Sequence, residues 1–282
     1  MHALPVVATN PRTYWASRLE GGGMSQVGRI GLSDELNAAM YPVIRRHALA
    51  MLRAAGVRTH GRALDAGSGW GFWFRTWQEL GFPVVDAVDF VEESVARVRA
   101  HARPADDVRV ADITAPRIFE GRQRYDLVSC MNVLLHVVHP GQFGMALANV
   151  ASAVAPGGLL LLAEPAAVGP ISPADGADLS SRVHALDDYL GPMSVAGLEL
   201  VDLRPAMAIT GDPVERRGPV ARHAQRLWWR GVLAADRRVP TLRGALGAAM
   251  QVVDQAARRL GAAETSKLVL FRKTWSAAET GV

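Results

Sequence analysis

The segment Ala63-Leu64-Asp65-Ala66-Gly67-Ser68-Gly69-Trp70-Gly71 passes from a short apolar run into three glycines separated by single residues, and a helical stretch follows directly. Glycines at a strand-to-helix turn let the backbone swing back tightly, and they let a ligand approach without a Cβ in the way. Alone, this turn points to a nucleotide-like ligand at the end of a strand.

Outward from it, between Arg62 and Val168, short apolar runs alternate with helical stretches, the pattern of parallel strands joined by crossover helices. The runs predict strands over Arg62–Ala66, Val84–Asp89, Val108–Ala111, Tyr125–Met131 and Gly158–Glu164. Helices are expected over Gly71–Leu80, Glu92–Ala102 and Pro140–Val154, and further strands over Leu198–Arg204 and Lys267–Thr274. Upstream, Ser33 is placed to cap a helix carrying Asp34 and Glu35 in its first turn, and Gly56 is placed to end it.

Two acidic residues close later strands. Asp89 ends the second, 22 residues after Gly67, near the interval at which a carboxylate reaches both ribose hydroxyls. The third ends Val110-Ala111-Asp112-Ile113, which puts an acceptor for an adenine amino group and an apolar side chain for the ring at the same sheet edge. A dinucleotide fingerprint, G-x-G-x-x-G, fits poorly because its sixth position is Phe72.

The chain has 282 residues, 49% hydrophobic and 21% charged, enough to bury a large core without disulfide or metal staples. A lone Cys130 removes any disulfide framework or multi-cysteine metal site and favours a reducing, cytoplasmic setting. The longest apolar run, Gly157 to Ala163, is far short of the roughly 18 residues a membrane span needs, and no signal peptide is expected. The net charge of +4 rests almost wholly on arginine, since Lys267 and Lys273 are the only lysines; the arginines are scattered, which argues against nucleic acid as a partner.

The ordered series Leu64 to Gly71, Asp89, Ala111 to Ile113, Tyr125 to Val133 and Ala155 to Glu164 resembles the motifs of class I S-adenosylmethionine-dependent methyltransferases over about 110 residues. The resemblance implies a Rossmann-like, doubly wound α/β sheet of seven strands with the last antiparallel. It implies S-adenosylmethionine as cofactor and S-adenosylhomocysteine as product. Carried onto this sequence, it places Asp65, Gly67 and Gly69 against the amino-acid end of the cofactor and Asp89 on the ribose. Phe90 then lies beside the adenine, Asp112 on its amino group, Ile113 on the ring, and Asn132 near the methionine moiety. Plainer alternatives stay open: a carboxylate tying loop amides for Asp65, a helix cap for Asp112, a turn residue for Asn132.

Methyl transfer is an in-line displacement, so alignment and exclusion of water come first, and a base is required only if the acceptor must lose a proton. Ligands of open parallel sheets bind at the carboxyl ends of the strands, which selects His136, His139 and Glu164 as catalytic candidates. No metal cluster stands out. By similarity to small-molecule members with helical arms, residues 1–57 are expected to form an arm or lid, with Tyr14 toward the cofactor and Trp15 toward the acceptor. Residues 58–204 and 267–282 would form the cofactor-binding core. Residues 205–266, too long for an ordinary connection, would be a helical insertion covering the acceptor, with Trp228, Trp229 and Arg226 as acceptor-binding candidates.

The expected function is methyl transfer to oxygen or nitrogen of a small molecule in natural-product biosynthesis. Alternatives are carbon methylation of a prenyl-type or electron-rich acceptor, an RNA or protein methyltransferase, and a non-catalytic cofactor-binding scaffold. A homodimer is open.

Overall fold

The computed structural model describes residues 11–19, 23–29, 31–168, 181–207, 219–259 and 266–275. The arm and its anchor come first: α1 (Pro11–Leu19), the single turn α2 (Met24–Val27) and the long α3 (Asp34–Ala54). The Ser33 hydroxyl accepts from the Leu36 amide at 3.3 Å, so α3 starts where the sequence placed its cap. Gly56, at φ +65°, lies just past the helix end in a left-handed conformation open to glycine.

The core then follows as β1 (Arg62–Ala66), α4 (Phe72–Leu80), β2 (Val84–Asp89), α5 (Glu92–Arg99), β3 (Val108–Val110), β4 (Tyr125–Met131), α6 (Pro140–Ala153) and β5 (Val154–Ala167). It continues through β6 (His184–Ala185), α7 (Asp187–Val195) and β7 (Leu198–Pro205). Next come α8 (Pro219–Arg238) and α9 (Arg243–Arg259), and the sheet closes with β8 (Ser266–Lys273). The strand order is β3-β2-β1-β4-β5-β8-β7, with the two-residue β6 beside the end of β5. β1 through β5 pair in parallel, while β8 runs antiparallel to both β5 and β7. This is the doubly wound sheet expected from the alternating pattern, with its one antiparallel strand last.

Differences from expectation are at some element ends and in two added elements. α5 stops at Arg99, because His101 and Ala102 turn on i−3 carbonyls instead. β5 begins at Val154, where Val154 pairs with Tyr125 ahead of a register shift in β4. The short β6 and the helix α7 carry no alternating signature and were not anticipated.

Apolar clusters lie on both faces of the sheet. Leu160, Leu162, Val128 and Cys130 pack under α6 and α7. On the other face, Leu159 and Leu161 pack against Phe74 and Trp77 of α4 and Leu49 and Leu52 of α3. Alternate residues of one strand therefore feed opposite layers, as buried parallel strands require. No described helix is long and apolar enough to cross a membrane.

Candidate functional site

At the carboxyl end of the sheet, a cavity of about 320 Å³ is bounded by the glycine turn, the ends of β2, β3 and β4, and the arm. The order reverses here: β1 lies between β2 and β4, the crevice where open α/β sheets take ligands.

The glycine turn forms one wall. Gly67, Gly69 and Gly71 have φ of +78°, +49° and +74°, which side-chain-bearing residues rarely adopt. The amides of Gly67 and Ser68 donate to the Val88 carbonyl at 2.8 and 3.2 Å, folding the turn against β2. A Cβ on Gly67 would lie 2.3 Å from Val133 Cγ2, so the turn and the end of β4 approach as closely as glycine alone permits.

Asp89 caps the next wall. The amides of Gly69 and Val91 donate to its Oδ2 and Oδ1 at 2.9 and 3.0 Å, holding the carboxylate flat at the cavity rim. Burial pushes its pKa up to about 6, against the opposing pull of the Val91, Gly69 and Phe90 amides. Phe90, Asp112 and Ile113 line the same wall. Asp112 Oδ1 accepts from both the amide and hydroxyl of Thr114, at 2.8 and 2.7 Å, which fixes its rotamer.

Asn132 lies where β4 ends. Its φ of +58° turns the chain abruptly, and its side chain joins the cavity wall with those of Met131 and Val133. The next turn, Leu134–His136, brings His136 and Val137 to the cavity. Trp15 of α1 meets the His136 ring edge-on, with centroids 4.7 Å apart, and closes the cavity from above.

Asp65 lies behind the glycine turn, not on the cavity wall. Ser129 donates to its Oδ1 at 2.9 Å, and burial pushes its pKa up to about 7. It joins β1 to β4 beneath the turn.

Other expected residues are elsewhere. Glu164, fully buried, accepts from the amides of Val133 and Leu134 through Oε1 and of Leu135 through Oε2, at 2.9, 2.9 and 3.0 Å. Burial pushes it up to about 8 despite those three donors. It anchors the turn that carries His136 and does not line the cavity. His139 is an exposed residue at the start of α6, off the wall. Tyr14 turns away from the cavity, its phenol accepting from Arg18 at 3.1 Å. Trp229 is buried with Leu36, Met40 and Val43 of α3, with Trp228 packed alongside; neither lines the cavity, nor does Arg226 of the same helix.

The structure adds wall residues that sequence reasoning did not select: Arg12, Tyr41, Arg75, Ser94 and Gln142, with Ser68 and Trp70 from the quoted turn. Burial raises the Tyr41 phenol to about 12, so it stays protonated. The Ser68 and Ser94 hydroxyls and the Trp70 indole nitrogen are buried without a hydrogen-bond partner, and all three residues border the cavity. Buried polar groups seldom stay unpaired, so these atoms favour a ligand rich in oxygen and nitrogen. A serine on the inner face of α5 was the one available signal for Ser94. Among the described residues, no group of three or more His, Cys, Asp and Glu is placed to hold a metal.

Comparison with known proteins bears on the family and the fold. The methyltransferase-domain family matches residues 41–202, more than half of the chain. A ubiquinone biosynthesis O-methyltransferase from Caulobacter sp. (strain K31) is 33% identical over 145 residues, 48% of this chain and 55% of that protein. Its counterpart from Caulobacter vibrioides is 33% identical over 102 residues, 36% of this chain and 39% of that protein. The chain thus spans about half the length of the curated relatives it matches, or less. Among solved structures, the N-methyltransferase NodS of Bradyrhizobium japonicum WM9, in complex with S-adenosyl-L-homocysteine, superposes with a TM-score of 0.54 at 12% identity, over 94% of this chain and 98% of that one. The [4+2]-cyclase SpnF does so at 0.54 and 15% identity, over 82% of each chain. At such identities the two structures speak for the fold, and the domain match supplies the family. The chain belongs to the S-adenosylmethionine-dependent class I methyltransferases.

Proposed function

We propose that this protein transfers the methyl group of S-adenosylmethionine to an oxygen or nitrogen of a small-molecule acceptor in natural-product biosynthesis, in the cytoplasm. The observation that carries the reading is the convergence of the glycine turn, Asp89, Asp112 and Asn132 on one cavity that holds three unpaired buried polar atoms. When bound, the cofactor supplies a methyl group made electrophilic by its sulfonium. Asp89 accepts the ribose hydroxyls, Phe90 and Ile113 flank the adenine, and Asp112 takes its amino group. Gly67, Gly69 and Asn132 hold the amino-acid end, with Asp65 stiffening the turn from behind. His136 accepts the proton that the acceptor hydroxyl or amine gives up, and Trp15 shields the imidazole from water.

In this reading residues 1–57 are the arm, residues 58–204 and 267–282 the cofactor-binding core, and residues 205–266 an added helical unit. Carbon methylation of a prenyl-type acceptor depended on Trp228, Trp229 and Glu164 at the acceptor, and their places off the cavity wall weaken it.

Calorimetric titration with S-adenosylhomocysteine tests the proposal, with saturable binding expected and no heat up to millimolar ligand overturning it. The affinity also carries a pH signature. Asp89 must be ionised to accept two hydroxyls, and its pKa of about 6 keeps binding full above that pH. As pH drops below about 6, affinity falls by up to roughly tenfold per unit. Constant affinity from pH 7.5 to 5 would remove the carboxylate from the ribose.

Turnover is read with radiolabelled methyl donor against a panel of small phenols and amines. His136→Asn should lower kcat by about a hundredfold or more while leaving S-adenosylhomocysteine affinity near wild type. An unchanged kcat would take the proton-accepting role from His136.

A further inference from the structure

The helices α8 and α9 add nothing to the cavity wall, yet they grip the segment that leads to it. Asp236, on α8, is only 2% exposed and accepts from Ser33 twice: from its amide at Oδ2, 2.7 Å, and from its hydroxyl at Oδ1, 2.5 Å. Arg243 of α9 pairs with the same carboxylate at 3.2 Å. Ser33 is itself the cap of α3. Four residues before that cap, Arg29 places its guanidinium 4.8 Å from the Trp229 ring centroid, a second tie to α8.

From the first turn of α3, bonds run on toward the cavity. Asp34 Oδ1 accepts from the Ser25 amide at 2.6 Å, and Asn37 Oδ1 accepts from the Arg29 amide at 2.7 Å. These bonds fix both ends of α2, whose Met24 and Val27 line the cavity, with Val27 against Gly69. Arg18 of α1 then donates to the carbonyls of Ser25 and Gly28 at 3.0 and 3.3 Å, and its guanidinium lies 5.1 Å from the ring centroid of Trp15, which closes the cavity over His136. An unbroken series of directional contacts thus joins a buried carboxylate on α8 to the roof of the site.

We propose that Asp236 is a positioning residue: through Ser33 it holds the arm in the closed arrangement that completes the cofactor cavity, and α8 and α9 serve as the buttress of that roof. The idea rests on the cavity being the cofactor site. It differs from an acceptor cover, because the two helices act on the site from behind α3. If the closed arrangement is populated only in part, apparent affinity falls by that fraction.

The test combines S-adenosylhomocysteine titration with hydrogen exchange on the full chain, for wild type, Ser33→Ala, Asp236→Asn, Asp236→Ala and the double variant Ser33→Ala/Asp236→Ala. Asp236→Ala is expected to weaken binding about tenfold and to speed exchange over residues 23–37, with β1, β2 and β4 as protected as in wild type. Asp236→Asn, which retains one acceptor oxygen, should recover part of both. The double variant should bind no worse than Asp236→Ala, because the two residues act on one path.

Wild-type affinity in a folded Asp236→Ala would overturn the proposal, as would weakened binding with unchanged exchange in the arm. Additive losses would overturn the route through Ser33. If Asp236→Ala does not fold, Ser33→Ala and Asp236→Asn carry the same comparisons. Failure of the wild type to bind would instead strike at the cofactor reading, while arm exchange would still report on the clasp.

Discussion

Asp89→Ala should bind S-adenosylhomocysteine roughly ten- to a hundredfold more weakly than wild type, because a carboxylate accepting both ribose hydroxyls contributes about 1.5 to 3 kcal/mol. The geometry points toward the upper end. The carboxylate also accepts from the amides of Gly69 and Val91, so its removal frees the glycine turn as well as the ribose. Asp89→Asn separates the two effects: it keeps an acceptor oxygen for one amide but turns an N–H donor toward the other. Affinity in Asp89→Ala within threefold of wild type would place the ribose elsewhere. Thermal unfolding of the ligand-free variant is the necessary companion, since a large fall in midpoint would mean that the turn, rather than the contact, had been lost.

The second large effect is on stability. Glu164→Ala should cost roughly 3 to 5 kcal/mol, because three backbone N–H groups at Val133, Leu134 and Leu135 lose their acceptor at once and the site is closed to water. Denaturant unfolding reads that loss directly. Glu164→Gln retains an oxygen for Val133 and Leu134 and forfeits Leu135, so its loss should be smaller, about 1 to 2 kcal/mol. Both variants should also depress turnover, because the turn they loosen carries His136. A fully stable Glu164→Ala with lost activity would return this residue to a chemical role. The same three donors explain why an acidic residue ends an otherwise apolar strand: its two oxygens accept from three buried amides that an apolar side chain would leave unpaired.

The legibility of the site varied residue by residue. Gly67, Gly69, Asp89, Phe90, Asp112, Ile113 and Asn132 all line the cavity, and each stands at a strand end that periodicity had already located. Asp65 ends up one layer behind them, because it lies inside β1, level with Ala87 and Ser129, whereas the lining residues stand at or beyond the strand ends. Glu164 and Tyr14 share the chemistry of a site residue but not its direction: Glu164 is held by amides some thirty residues away in the chain, and Tyr14 by Arg18, one helical turn further along α1. Trp228 and Trp229 had two destinations open, core or ligand; the partner surface that settled it belongs to α3, almost 190 residues away in the chain.

The order of elements from β1 to β5, the sheet class, the glycine turn and the acidic strand ends are local properties, written in the spacing of apolar residues and in the backbone freedom of glycine, and these the sequence by itself determined. Tertiary structure alone decided which way the side chains beyond the strand ends point, that Trp15 closes over His136, and that the added helices fasten to Ser33 without lining the cavity. The physical reason is that those contacts join segments distant in the chain, with partners that exist only once the core has packed.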